Sequence, residues 1–152
     1  LEQPPFELGS GEAGGIFLLY LLGTVASASS GRLSRQLGRD RALTVMLLVM
    51  LAGLLMTLSL SLVWVVIGIA LFTLAFFGGH AMASSWVGQR ARRAKALAAA
   101  LYLTAYYLGA SLLGTTSGYF WVHDQWRGIV AALVVVLLAG LAVTVWRLRP
   151  LR

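Results

Sequence analysis

Apolar residues come in long, uninterrupted blocks along this chain. Asp, Glu, Lys and Arg are absent from residues 13–31, 42–89, 96–122 and 128–146. A helix needs about 20 mostly apolar residues to cross the hydrocarbon core of a bilayer. The second block is long enough for two helices, with a break near residues 59–61. The pattern therefore predicts five membrane spans, at about 13–30, 42–60, 62–85, 96–120 and 128–146.

Composition and continuity of the blocks set the fold class. Hydrophobic residues make up 59% of the chain and charged residues 11%, whereas soluble domains carry about 25% charged residues. In lipid, backbone polar groups must bond to one another, so a spanning segment is a helix or belongs to a closed barrel. Barrel strands alternate apolar and polar residues, and these blocks do not. We therefore predict an all-α polytopic membrane protein, with residues 1–12 as an extracytoplasmic segment, 13–147 as the helical bundle and 148–152 as a cytoplasmic tail.

Charges alternate between the two sides of the predicted bundle. The net charge is +7. One side holds basic clusters, namely Arg32, Arg35, Arg39 and Arg41, then Arg90, Arg92, Arg93 and Lys95, then Arg147, Arg149 and Arg152. The other side holds Glu2, Glu7, Glu12, Asp124 and a single basic residue, Arg127. Cytoplasmic loops are enriched in Lys and Arg, so we predict an N-terminus outside, a cytoplasmic C-terminus and the bilayer, not nucleic acid, as the partner of these charges.

Small residues mark two of the spans as packing helices. The span at 13–30 carries Gly23 and Ser27, and the span at 96–120 carries Ser111, Gly114 and Gly118 along one face. Small residues on one face let helix backbones approach closely in lipid. The alternative is chance spacing in a chain with 17 glycines. The spans at 42–60 and 128–146 are mostly Leu, Val, Ala and Met, and we expect them to face lipid.

The third span carries the candidate functional face. Thr73, Phe77, His80 and Ser84 follow one another at spacings of four, three and four residues, which places them on one side of a helix. Ionisable groups inside a membrane usually face a bundle interior or a water-filled cavity. We consider two interpretations of His80: a cavity-lining residue that contacts substrate or a proton, or a histidine bonded to a backbone carbonyl.

The sequence contains no recognisable catalytic or metal-binding set. The chain has no cysteine, and His80 and His123 are predicted on opposite sides of the membrane. No pair of intramembrane carboxylates is present for acid and base chemistry, and no glycine-rich phosphate loop is found. We therefore predict no enzyme activity, no metal site and no cofactor.

Two stretches resemble a known family. Residues 31–41, GRLSRQLGRDR, resemble the cytoplasmic loop signature of the major facilitator superfamily in its second-half copy, through Gly31, Leu33, Gly38, Arg39 and Arg41. Arg35 stands where the family often has Asp, the acidic residue that a salt-bridge latch at this loop would need. Residues 76–88, 101–109 and 118–121 are similar to bacterial inner-membrane transport proteins of the arabinose-efflux and multidrug-efflux kind.

The resemblance implies a place in a larger protein. The five spans would correspond to helices eight to twelve of a twelve-helix transporter, in the bacterial inner membrane, with an N-terminal half as the missing partner. Helices eight and eleven would meet that half, nine and twelve would lie outside, and ten would line the cavity. The chain would be a C-terminal fragment, as a first residue of Leu rather than Met also suggests, of a transporter that exports a small organic solute by alternating access. The alternative is a non-transporting membrane scaffold or regulatory protein that packs through its glycine-rich faces.

Overall fold

The structure is a computed structural model that describes residues 1–2, 4–91 and 93–148. Helices account for nearly all of this part of the chain, and no strand occurs among the residues described. The elements are α1 (Ser10–Gly15), a 3₁₀ turn (Ile16–Leu19), α2 (Tyr20–Leu37), α3 (Arg39–Met56), α4 (Leu62–Arg90) and α5 (Lys95–Leu148). The predicted all-α fold class is confirmed.

Helix α5 contains a sharp reversal. Asp124 (φ −132°, ψ 16°) and Gln125 (φ 54°, ψ −141°) leave the helical conformation. A Cβ atom built on Gly128 would lie 2.7 Å from the carbonyl oxygen of Phe120. Residues eight apart in a continuous helix are separated by about 12 Å along its axis, so this approach requires the chain to turn back. Residues 95–123 and 126–148 are therefore two helical segments joined by a two-residue break.

Helices α3 and α4 cross at a pair of glycines. A Cβ atom on Gly53 would lie 2.6 Å from the carbonyl oxygen of Gly68, and one on Gly68 would lie 2.5 Å from the carbonyl oxygen of Gly53. Further along, Met46 packs against Gly78. Because the later contact on α4 meets the earlier residue on α3, the two helices are antiparallel.

The second half of α5 packs antiparallel to α3. The indole nitrogen of Trp126 donates a hydrogen bond to the hydroxyl oxygen of Thr57 at 3.1 Å, and Gly140 lies near Leu47 at the other end of α3. Between these contacts is a buried apolar cluster, formed by Leu54, Val130 and Leu137. The first half of α5 instead packs on α4, so the long segments alternate in direction through the bundle.

Among the residues that the structure describes, three helices are long and apolar enough to cross a membrane: Ser10–Leu37, Leu62–Arg90 and Lys95–Trp146. The last has 52 residues, or about 78 Å at 1.5 Å per residue. That length is more than twice the hydrocarbon core, about 30 Å thick, so the reversal in α5 is what lets it fit a bilayer. The chain is therefore part of a multi-pass membrane protein.

Helix α3 has one side buried within the chain and one side exposed. One side is buried, at Ala42, Met46, Gly53 and Leu54. The opposite side is exposed, at Val45, Leu48 and Leu55. That residues 42–60 face lipid stays a prediction for the exposed side. The buried side packs within the chain, because the glycine crossing draws α3 against α4 while α5 covers it from the other direction.

Candidate functional site

Helix α4 is the central element of the candidate site, with α2 on one flank and the first half of α5 on the other. On the α2 flank, the ring of Phe77 lies directly over Gly23, where a Cβ atom would overlap it. Ser27 lies beside it, with its hydroxyl 3.5 Å from the backbone carbonyl of Phe77. Gly23 and Ser27 therefore pack within this chain, against α4.

On the α5 flank, His80 is held among aromatic side chains. The hydroxyl oxygen of Tyr102 lies 2.9 Å from Nδ1 of His80 and 3.3 Å from the His80 carbonyl oxygen. The Tyr106 ring is centred 4.8 Å from the imidazole, and the Phe76 ring stacks on it at 6.2 Å. The side chain of His80 is thus bonded to a tyrosine on the neighbouring helix, an arrangement that neither sequence interpretation specified.

The four residues of the predicted face have different surroundings. Phe77 turns towards α2 and His80 towards α5, while Thr73 is half-buried and Ser84 is exposed. Within the described part of the chain, α2 and α5 make no close contact with each other. Helix α4 therefore forms the floor of a groove between them.

We define the aromatic cluster as the six ring-bearing residues at this groove: Tyr20, Phe76, Phe77, His80, Tyr102 and Tyr106. Its rings are linked in series, with Tyr20 and Phe77 5.9 Å apart between centroids and Phe76 and Phe77 5.4 Å apart. Aromatic pairs at these separations stabilise one another beyond simple burial. The cluster can offer flat apolar contact together with hydrogen-bonding groups on His80 and the tyrosines.

Sequence reasoning missed Tyr102, Tyr106 and Phe76. The two tyrosines are four residues apart and therefore share a helix face, which was a usable signal in an otherwise apolar block. Their pairing with His80 depends on how α5 lies against α4, and periodicity within one helix does not reveal that.

The loop motif, residues 31–41, joins α2 to α3 and lies beside the C-terminal end of α4. Leu33 packs against a buried cluster that includes Ala42. Gly38 has a φ of 79°, a conformation that glycine adopts without steric cost, so the two helices are joined by one residue. A guanidinium nitrogen of Arg39 donates to the side-chain oxygen of Gln89 on α4.

The other two motif residues, Gly31 and Arg41, are exposed. The motif therefore forms a tight turn at Gly38, packs into the apolar interior through Leu33 and is hydrogen-bonded to α4 through Arg39.

The predicted packing residues of the fourth span lie on an outward face. Ser111, Gly114 and Gly118 are exposed, and a Cβ atom on either glycine would meet nothing within 4 Å in the described structure. Thr104, Tyr107 and Thr115 are exposed on the same segment. We call these six residues the polar face of α5. It has no partner within the described chain, so its packing role stays a prediction.

Comparison with known proteins gives several relatives. The chain is 41% identical over 138 residues to a protein named as an uncharacterized MFS-type transporter of Bacillus subtilis. The matched region covers 91% of this chain and 34% of that protein. It is 40% identical over 134 residues to an uncharacterized transporter of Buchnera aphidicola subsp. Schizaphis graminum, covering 88% of the chain and 32% of the relative. It is 48% identical over 68 residues to an inner membrane transport protein of Escherichia coli, and this match covers 45% of this chain and 16% of that protein.

The chain spans about a third of the length of the first two curated relatives. No protein-family profile matches it. No solved structure matches it. Along about nine tenths of its length, this chain is similar to one third of an MFS-type transporter, and the resemblance to the major facilitator superfamily that its motifs indicate is confirmed.

Proposed function

We propose that this chain forms part of the C-terminal half of a secondary active transporter of the major facilitator type, which exports a small organic solute, a sugar or a drug-like compound, by alternating access. The observation that carries the proposal is the 41% identity to an MFS-type transporter over 91% of the chain. The groove on α4 and the unpartnered polar face of α5 support it, because both suit a protein in which a second helical bundle completes the structure.

The geometry suggests how the chain contributes to such a transporter. Transporters of this type bind substrate near the bilayer midplane between two halves and rock around it. In the proposed arrangement, the rings of Phe76, Phe77 and Tyr106 give apolar contact to a solute in the groove. His80 and Tyr102 supply hydrogen-bonding groups beside it. The basic ends of the helices face the cytoplasm of a bacterial cell, following the bias of Lys and Arg.

The proposal is tested by efflux from bacterial cells that lack their own copy of the gene. The cells express either the intact protein that contains this chain or residues 1–152 alone, and are loaded with a panel that includes arabinose and cationic dyes. We expect the intact protein to export at least one compound, and to lose that activity when the ion gradient is collapsed but not when ATP alone is depleted. We expect residues 1–152 alone to export none, because alternating access requires two halves that move against each other and this chain is part of one half. Export by residues 1–152 alone, or export that depends directly on ATP, would contradict the proposal.

His80 and Tyr102 give a residue-level prediction for the intact transporter. We expect His80→Ala and Tyr102→Phe each to change the apparent affinity for an exported compound about two- to tenfold, the range of one hydrogen bond worth roughly 0.5–1.5 kcal/mol. Since they share one contact, the double variant should resemble either single variant. Tyr119→Phe is the matched control, because Tyr119 is 64% exposed and lies outside both the aromatic cluster and the polar face of α5.

These variants are measured as initial efflux rates over a range of substrate concentrations and pH, at matched expression. An unchanged rate and pH profile for His80→Ala would leave His80 with a structural role only.

A second candidate is a non-transporting membrane scaffold. The exposed glycines of α5 favour it, since such a surface suits close contact with another membrane helix. The two functions separate in the same cells: a scaffold would leave every compound in place whether or not the gradient is present.

A further inference from the structure

A cavity of about 580 Å³ lies between the ends of α2 and α4, beside the loop that joins α2 to α3. It is separate from the aromatic cluster and shares no residue with it. Its polar lining includes Ser34, Arg35, Arg39, Ser85, Trp86 and Gln89. Neither Asp nor Glu occurs among the residues that line it. The cavity is therefore a positively charged site without a carboxylate of its own to neutralise it.

Its two arginines keep hydrogen-bonding capacity for a ligand. A guanidinium carries five N–H donors and stays charged in proteins. Arg39 uses one guanidinium nitrogen to bond the side-chain oxygen of Gln89. Arg35 also borders a second, smaller cavity on the α2 side. Guanidinium groups match the geometry of phosphate oxygens and bind them with paired hydrogen bonds.

The remaining polar groups also favour an acceptor-rich ligand. The hydroxyl oxygen of Ser85 accepts a hydrogen bond from the side-chain nitrogen of Gln89 at 2.9 Å, which leaves the hydroxyl proton of Ser85 free to be donated. The indole of Trp86 has one donor and no acceptor. Positive charge together with several donors is the complement of a phosphate group, whose oxygens are acceptors.

We propose that this cavity binds a phosphate group, supplied by the headgroup of an anionic phospholipid. The position of the cavity favours a lipid headgroup as the source of the phosphate group. The cavity lies at the ends of apolar helices, and the Arg90 guanidinium sits 5.6 Å from the centre of the Trp86 ring. Trp at the end of a spanning helix lies at the headgroup level, and basic pockets between helix ends bind acidic headgroups. Inorganic phosphate has the same binding chemistry, so the experiment separates the two sources.

The experiment uses the intact protein in nanodiscs of phosphatidylcholine, with or without phosphatidylglycerol, and counts retained lipids by native mass spectrometry. A second arm adds inorganic phosphate to the phosphatidylcholine nanodiscs and follows tryptophan fluorescence, with Trp86→Phe as the reference. The test variants are the double variant Arg35→Gln with Arg39→Gln, and Ser34→Asp, which adds a carboxylate to the cavity. The control is the double variant Arg41→Gln with Arg93→Gln, which removes two exposed charges outside the cavity.

We expect wild type and the control to retain phosphatidylglycerol in preference to phosphatidylcholine. We expect both test variants to weaken that preference at least about tenfold, the effect of losing a charge-assisted hydrogen bond. A fluorescence response to inorganic phosphate that is lost in both test variants, without preferential retention of phosphatidylglycerol by wild type, would assign the site to soluble phosphate instead of lipid. Equal lipid retention and equal phosphate response in all variants would overturn the proposal. If the arginine double variant does not fold, Ser34→Asp decides, because both arginines remain.

Discussion

Gly68→Ala should destabilise the protein by about 1–3 kcal/mol, the typical cost of inserting a methyl group into a tightly packed contact. The added Cβ would lie 2.5 Å from the carbonyl oxygen of Gly53 and 3.0 Å from the Cβ of Met56. The nearest of these atoms belongs to the backbone of α3, so α3 and α4 would have to separate. Gly68→Leu should prevent the protein from accumulating in a folded form.

The measurement is the thermal unfolding midpoint of the purified intact protein, with Gly88→Ala as the control. Gly88 is on the same helix, and a Cβ atom there meets nothing within 4 Å. In open space, replacing a helical glycine with alanine is neutral or stabilising by up to about 1 kcal/mol. A midpoint for Gly68→Ala at or above that of Gly88→Ala would refute the tight crossing of α3 and α4.

The second large effect is expected at the polar face of α5. Gly118→Leu should leave packing inside this chain unchanged, because a Cβ at that position would meet nothing within 4 Å beyond its own stretch of helix. In the intact transporter we expect it to push away the half that we propose covers this face. Losing about 1–2 kcal/mol of helix–helix contact would lower the equilibrium ratio of assembled to unassembled protein about 5- to 30-fold.

This effect is read as the yield of monodisperse intact protein by size-exclusion chromatography, alongside Ala139→Leu. Ala139 is exposed on the second half of α5, where the predicted environment is lipid, and its variant should match wild type. Gly114→Leu should behave like Gly118→Leu. Normal yield and normal efflux for both glycine variants would show that this face meets lipid rather than a partner.

The sequence was sufficient for the membrane class, because that class depends on the length of apolar blocks. The break expected near residues 59–61 falls between the end of α3 at Met56 and the start of α4 at Leu62. The helices nevertheless extend past the apolar blocks. Helix α3 begins at Arg39, directly after the turn at Gly38, and α4 continues to Arg90, since helix ends follow backbone geometry as well as hydropathy.

Contacts between helices could not be predicted from the sequence. Gly53 and Gly68 meet across two helices, and each stands without a glycine partner at the four-residue spacing that marks a packing face. The pairing of His80 with Tyr102 likewise depends on the relative position of α4 and α5. By contrast, Gly114 and Gly118 have the expected spacing and contact nothing in this chain, because spacing identifies a surface suited to packing and does not identify what packs there.

We propose that this chain acts as one part of a larger transporter, and the mass of the native polypeptide tests this most directly. An antibody raised against this chain would be used on membranes of the source cells. The 138 matched residues are 34% of the Bacillus relative, which is therefore about 400 residues long. We predict a single band of that size. A band only at 16.3 kDa would contradict the account, since the chain would then act without a second half.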